Sequence, residues 1–326
     1  VLSAALAAAV VENHRAGGQT LLFLNRRGFA RFLQCEACGR VETCPHCSVS
    51  LTEHRARHAA VCHHCGFAQP PAARCPDCSN PLSPRSFGTE QIEGAARALL
   101  PSARITRLDR DTGSSAEAVH RTLAAWRAKE IDLLIGTQMV AKGHDAPGVT
   151  LIGVVLADAS LNFPDFRAAE RTFQLITQVV GRAGRGERRG EAVVQTLFPS
   201  HYAVRCGCAQ DFDGFAAKEL EYRAALRYPP VTAMINVVVR GPSAFEAMEG
   251  AETLATAVKR AGAGDGVVVL GPAPAPLPKL RGEHRAQFFL KGGQRPRMRA
   301  AVRAALAAHP TLARRTAVDV DPISML

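Results

Sequence analysis

The chain has 326 residues, 47% hydrophobic and 6% aromatic, with a formal net charge of +11. That length and apolar share are enough to bury a real core in two or three domains, and the basic surplus favours a polyanionic partner, since each Lys or Arg that meets a phosphate releases condensed counterions. The longest apolar run, 149-VTLIGVVLA-157, is too short for a membrane-spanning helix and reads as a buried strand.

The first expected element is a helix over VLSAALAAAVV, which has no basic lead-in and passes straight into ENHRAGG, unlike a signal peptide. The chain starts at Val1 and is expected to be a piece of something longer. Next, 21-LLFL-24 followed by the polar NRRG is the pattern of a buried parallel strand that ends in a loop.

Eight cysteines then crowd one window as four CxxC knuckles: Cys35 and Cys38, Cys44 and Cys47, Cys62 and Cys65, Cys75 and Cys78. Two thiolates separated by two residues can turn onto one ion, and two such knuckles complete a closed tetrahedral sulfur site. Without a secretory signal, two structural zinc ions fit better than a disulfide framework. Cys44, Cys47, Cys62 and Cys65 enclose fourteen residues, close to zinc-ribbon spacing, which leaves Cys35, Cys38, Cys75 and Cys78 as a nested outer site. His46, His54, His58, His63 and His64 lie nearby, but four thiolates already fill each ion, so the imidazoles are expected on the surface or behind the ligands. Cys206 and Cys208 have no partner knuckle and read as small, partly buried side chains.

Beyond the knuckles, GTEQIEGAARALLP predicts a helix opened near Thr89 and stopped by Pro101. ARITRLDRDT reads as a short strand, and SAEAVHRTLAAWRAKE as an amphipathic helix with Trp126 in the core. IDLLIGTQMVAKGHDAPGVTLIGVVLADASL supplies two more buried strands around a polar loop. Strand and helix alternate, so a doubly wound α/β domain is expected, with ligands at the carboxyl ends of strands, where NRRG and GTQMVAKGHD sit. QLITQVVGRAGRGERRG follows. Arg182 and Arg185 stand one helical turn apart among Gly181, Gly184 and Gly186, and could both reach one polyphosphate. Taken alone, that stretch also reads as a solvated basic loop.

The last third opens with a helix over DFDGFAAKELEYRAALRYPP, ended by Pro229 and Pro230. After it the pattern predicts strand 233–240, helix 243–261, strands 267–270 and 285–291, helix 295–308 and strand 315–320. That βαββαβ order suggests a small ferredoxin-like α+β domain. GPAPAPLPKL is read as a stiff, extended link. Seven Lys/Arg against one Glu between Lys279 and Arg299 make a basic patch beside Phe288 and Phe289, which is either a DNA or acidic-tail site or a solvated edge.

GTQMVAKGHDAPGV followed by QVVGRAGR resembles motifs V and VI of superfamily 2 helicases. The order LFLNRRGFA, CxxC knuckles, GTEQIE, RLDRDT, GTQMVAKGHD, DFRAAER and TQVVGRAGR, with the tail VDVDPISML, resembles the primosomal protein N′ (PriA) family of replication restart helicases. The resemblance implies a RecA-like second helicase lobe at 1–34 and 80–200, a zinc-binding insertion at 35–79, a linker helix at 201–229, and a C-terminal DNA- and partner-binding domain at 230–326. It implies ATP-dependent 3′-to-5′ unwinding and restart of abandoned forks. Gln178, Arg182 and Arg185 match motif VI, with the arginines as fingers for the nucleotide. Gly143 and Asp145 match positions that approach ATP. Thr137, Gln138, Asn25 and Arg26 fall where DNA is gripped, and Lys279, Arg281 and Arg285 are C-terminal candidates for DNA contact.

The implied cofactors are two Zn²⁺, with ATP and Mg²⁺ in the whole protein. The implied partners are branched forks, single-stranded DNA, single-stranded DNA-binding protein, other primosome proteins and the loader of the replicative helicase, with no membrane. The implied location is the bacterial cytoplasm at the nucleoid. The chain departs from the family pattern in having no G-x-x-x-x-G-K-[ST] and no DEAH-type box. It is therefore expected to hold one wall of the nucleotide site and to be inactive alone. A fork-binding scaffold without motor activity is the alternative; a zinc-ribbon factor of transcription or translation leaves motifs V and VI unexplained.

Overall fold

A computed structural model of the chain describes residues 1–24, 33–35, 37–38, 40–46, 50–54, 58–63, 65–84, 89–109, 115–137, 148–157, 161, 163, 165–181, 190–261 and 266–325. Helix α1 (Ala4–Arg15) and strand β1 (Gln19–Leu24) open it. Five short strands follow in the cysteine-rich stretch: β2 (Leu33–Cys35), β3 (Thr52–His54), β4 (Ala59–Val61), β5 (Ala68–Gln69) and β6 (Leu82–Pro84). Then come α2 (Thr89–Leu99), β7 (Ile105–Leu108), α3 (Ala116–Arg127), β8 (Leu133–Gly136), β9 (Val149–Val155), α4 (Ala168–Val180) and β10 (Glu191–Val194). Two helices, α5 (Tyr202–Ala209) and α6 (Phe212–Ala225), lead to β11 (Ala233–Gly241), α7 (Ala244–Arg260), β12 (Val268–Leu280), β13 (Glu283–Gly292), α8 (Arg295–Ala308), α9 (Pro310–Ala313) and β14 (Thr316–Val320). The chain divides into two compact units. One comprises Val1–Phe29, Ser86–Leu161 and Ala169–Ala216; the other comprises Ala30–Arg85, Asn162–Ala168 and Ala217–Leu326.

The first unit is built on a five-stranded sheet ordered β10-β9-β1-β8-β7, every pair of it parallel. All six residues of β1 are buried because helices lie on both faces. Leu21 and Phe23 point to one side, where α3 and α4 bring Leu123, Trp126, Ile176 and Val179. Leu22 and Leu24 point to the other, where α1 and α2 bring Leu6, Val10, Ile92 and Ala96. Gly153 of β9 lets α1 come close, since a Cβ there would lie 2.7 Å from Leu6 Cδ1. Local signals place the helices. Ser3 Oγ accepts from Leu6 N at the start of α1, and Ser115 Oγ accepts from Ala118 N at the start of α3. Numbering its strands in order, the sheet reads 2-3-1-4-5, so the direction of winding reverses at β1, and the carboxyl ends of β1, β8 and β9 border the crevice expected of such sheets.

The second unit contains a four-stranded antiparallel sheet ordered β12-β13-β11-β14. Helices α7 and α8 cover one face through Ala251, Leu254, Met298 and Val302, which meet Val237, Val239, Phe288 and Leu290. Ser243 caps α7 by accepting from Glu246 N at 3.1 Å. GPAPAPLPKL is not a free link: β12 continues through it to Leu280 as the edge of the sheet. Proline has no N–H for a central ladder, but an edge strand needs donors on one side only, which is why the proline-rich stretch still joins the sheet. The expected helix before Pro229 ends at Ala225, and a separate helix, α5, precedes it; the left-handed Gln210 (φ 55) divides them.

Candidate metal centres and the rim of the parallel sheet

The cysteine-rich insertion is closed at its base by β2 pairing with β6, with Cys35 opposite Leu82. Further along it, β3, β4 and β5 form a small antiparallel sheet. Three of the knuckles share one turn: the N–H groups of Cys35, Cys62 and Cys75 each donate to the carbonyl five residues on, of Arg40, Phe67 and Asn80, all at 2.8 Å. These turns aim paired sulfurs inward.

At the base, Cys35, Cys38, Cys75 and Cys78 gather with all four Sγ atoms within 4.8 Å of one another. Cys35 and Cys78 are 3.4 Å apart, and Cys38 lies 3.5 Å from both Cys75 and Cys78. A disulfide needs about 2.05 Å. A tetrahedron with Zn–S near 2.3 Å has an edge of about 3.8 Å, so the spacing suits thiolates around one zinc. Arg40 ties the two knuckles, its Nη1 donating to both carboxylate oxygens of Asp77 at 2.6 and 2.7 Å. Asn80 donates to Cys78 Sγ at 3.5 Å, and the hydrogen bonds from Asn80 bring that thiol down to about 6.

A second group joins Cys44, Cys62 and Cys65, with Cys44 and Cys65 at 3.6 Å. Cys47, the expected fourth ligand, lies outside the described residues. Leu51, Ala60 and Phe67 pack around this group. Burial pushes the Cys44 thiol up to about 12, chiefly by desolvation; a dication among the sulfurs reverses that balance and deprotonates them.

Of the residues expected around the nucleotide and DNA in the parallel-sheet unit, Thr137 and Gln178 are described. Thr137 directly follows β8 and is half-buried. Gln178 is exposed near the end of α4, four positions before Arg182. Asn25, Arg26, Gln138, Gly143, Asp145, Arg182 and Arg185 lie outside the described residues. In the other unit, Lys279 and Arg281 are exposed at the β12–β13 turn, where Arg281 (φ 50) and Gly282 (φ 87) reverse the chain. Arg285 is half-buried and stands directly across from Arg240, a neighbour visible only once β11 and β13 are paired. Burial first, and then Arg240, lower the Arg285 pKa. Phe288 and Phe289 are both fully buried, on opposite faces of the sheet, so neither offers a ring to a base. Cys206 is partly buried, whereas Cys208 is exposed.

An α/β protein with a cysteine-rich metal module inserted after the first strand of its parallel sheet is the class these features define. Residues 224–323 match the family model described as the primosomal protein N C-terminal domain, and residues 44–70 match that of the PriA DNA helicase Cys-rich region (CRR) domain. Curated proteins named Replication restart protein PriA are similar along most of the chain. The Bacillus subtilis protein is 40% identical over 89% of this chain and 36% of its own length, and the Treponema pallidum protein 40% over 100% and 50%. The Haemophilus influenzae protein is 38% identical over 88% of the chain and 39% of its own length. The chain belongs to the PriA family, matching the C-terminal portion of its members, and it spans half or less of the length of these relatives. Among solved structures, the C-terminal domain of the DEAD-box protein Dbp5 aligns with a TM-score of 0.32 at 12% identity over 62% of this chain and 77% of that one.

Proposed function

We propose that this chain is the second motor lobe, two-zinc module and C-terminal domain of an ATP-dependent 3′-to-5′ superfamily 2 DNA helicase. In this reading the whole protein recognises stalled or abandoned replication forks and starts restart by assembling a primosome. One observation carries the reading: identity of 36–40% to proteins named Replication restart protein PriA runs through the parallel-sheet unit, the cysteine module and the C-terminal domain alike. The strand order 2-3-1-4-5 supports a RecA-like lobe at 1–34 and 80–200, and the β12-β13-β11-β14 order supports a ferredoxin-like domain at 230–326, with the insertion at 35–79 and a linker at 201–229.

In this reading Gln178, Arg182 and Arg185 face the nucleotide, with Gly143 and Asp145 beside it. Thr137, Gln138, Asn25 and Arg26 grip DNA phosphates, and Lys279, Arg281 and Arg285 add contacts to DNA. The arginines stabilise charge that develops on the transferred phosphoryl group. ATP with Mg²⁺ supplies the free energy of unwinding, and it needs a Walker lysine and an acidic box that this sequence lacks, so the chain alone is expected to be inactive. Two zinc ions, one per cysteine group, are supported by the sulfur spacing. The partners in this reading are branched and single-stranded DNA, single-stranded DNA-binding protein, other primosome proteins and the loader of the replicative helicase, in the bacterial cytoplasm at the nucleoid. Among the described residues no helix is long and apolar enough to cross a membrane.

The test is Arg185→Ala in the full-length protein. DNA-stimulated ATP turnover should fall by about 10³-fold or more, with fork binding within a few-fold of the unaltered protein. Unchanged turnover would remove the arginine from the nucleotide site, and simultaneous loss of binding would reassign it to folding or DNA contact.

A further inference from the structure

Among the described residues, helices cover only one face of the antiparallel sheet. Its other face, which carries Asn236 and Arg240 of β11 and Arg285, Gln287, Phe289 and Lys291 of β13, is covered piecemeal. At one end Phe289 packs with Tyr228, Met234 and Met325. In the middle lies the third knuckle of the cysteine module. Gln287, 1% exposed, donates from Nε2 to the His63 carbonyl at 2.9 Å. His63, also 1% exposed, places Nδ1 2.7 Å from the Pro274 carbonyl. A carbonyl only accepts, so Nδ1 carries the proton. Gly66 (φ 80) completes the contact, because a Cβ there would sit 2.9 Å from Pro272 O.

The sheet edge is shaped to this contact. The β12 register against β13 shifts between Leu270 and Ala273 and again between Pro274 and Lys279. Ala273 and Ala275 are nonetheless buried on what is otherwise an open edge, and an uncovered edge with lost ladder bonds is where a sheet is weakest. Residues 63 and 66 belong to the turn that presents Cys62 and Cys65. The base centre differs. Among the described residues, Arg40 pairs with Asp77, the sulfurs of Cys35, Cys38, Cys75 and Cys78 meet one another and Asn80, and Cys35 lies in β2, paired with β6 of the same insertion.

We propose that the Cys44, Cys62 and Cys65 centre is an internal clasp. Metal there holds the 62–66 turn as a plug on the helix-free face of the C-terminal sheet, which fixes the proline-rich stretch 272–278 and, through it, the turn that carries Lys279 and Arg281. The outer four-cysteine centre closes the base of the insertion and has no part in this docking. The inference rests on the metal reading of the cysteines given above; the Gln287→Leu arm of its test probes the docking contact without altering a cysteine.

That test is hydrogen–deuterium exchange on the zinc-loaded chain, with metal content measured in parallel. Gln287→Leu removes the donor to His63 and touches no cysteine. Amides in 268–280 should then exchange about tenfold faster, with zinc content unchanged. Cys65→Ser should lose metal and speed exchange there at least as much. Cys78→Ser should lose metal too, yet leave 268–280 within about twofold of the unaltered chain. Unchanged protection in Gln287→Leu overturns the docking. Equal acceleration by Cys78→Ser and Cys65→Ser overturns the assignment to one centre, and an unaltered chain that carries no zinc overturns the metal dependence. Helicase activity enters none of these readings, so failure of the clasp and failure of the restart proposal are distinguishable.

Discussion

The two sheets of this protein hide their faces by different means. In the parallel sheet α1 and α2 cover one face and α3 and α4 the other, so β1 is buried from Gln19 to Leu24. In the antiparallel sheet α7 and α8 occupy one face, and the other is closed by pieces from elsewhere in the chain: the His63 turn, Tyr228 and Met325. A doubly wound sheet spends both faces on its own helices, whereas a sheet with helices on one face leaves the other to be covered by distant segments.

Metal removal is the strongest way to break this comparison. A chelator under reducing conditions should unfold the cysteine-rich insertion, because its described core is only Cys44, Leu51, Ala60 and Cys62 with Cys65 and Phe67 against it, and structural zinc contributes on the order of 10 kcal/mol in small modules. The parallel sheet should keep its own thermal transition; calorimetry that shows both units melting together would contradict the division. Next in size is Trp126→Ala. Trp126 is 2% exposed between α3 and the sheet, and its truncation should cost about 3–5 kcal/mol in denaturant melts, leaving exchange protection in β11 and β13 unchanged.

The smallest effect sharpens the comparison through pH. Arg104 holds the Asp132 carboxylate below its ordinary pKa, mainly by hydrogen bonds at 2.6 and 3.1 Å. A depressed folded pKa adds stability that is fully present above the unfolded value and is lost as pH falls through the folded one. Asp132→Asn should therefore destabilise the parallel-sheet unit by less than about 1 kcal/mol at neutral pH, since solvent screens an exposed pair, and this difference should shrink only below about pH 4. A gap between mutant and unaltered protein that stays constant down to pH 2 would show that the pair contributes nothing electrostatic.

Much of this was legible before any coordinates. The run 21-LLFL-24, the Thr89 and Ser115 helix starts and the βαββαβ order of the last third all reappear as elements within a few residues, because each rests on local periodicity and capping. The CxxC spacing likewise implied a nested arrangement, and the structure brings Cys35, Cys38, Cys75 and Cys78 together. The proline-rich 271–280 reads locally as a stiff, extended link; only a neighbour such as β13 could make it an edge strand. Arg240 opposite Arg285, and Gln287 beneath His63, had no local signal at all, since they are 45 and 224 residues apart and meet only through strand register and docking.

The amino-acid order alone determined the periodic elements, the thiolate chemistry and the family resemblance, since those depend on contacts within a few residues or on motif spacing. Tertiary structure decided which strands became edges, which like charges became neighbours and which face of the second sheet the cysteine module covers. Those outcomes depend on burial shared between distant segments, and no single segment encodes the partner that will exclude water from it.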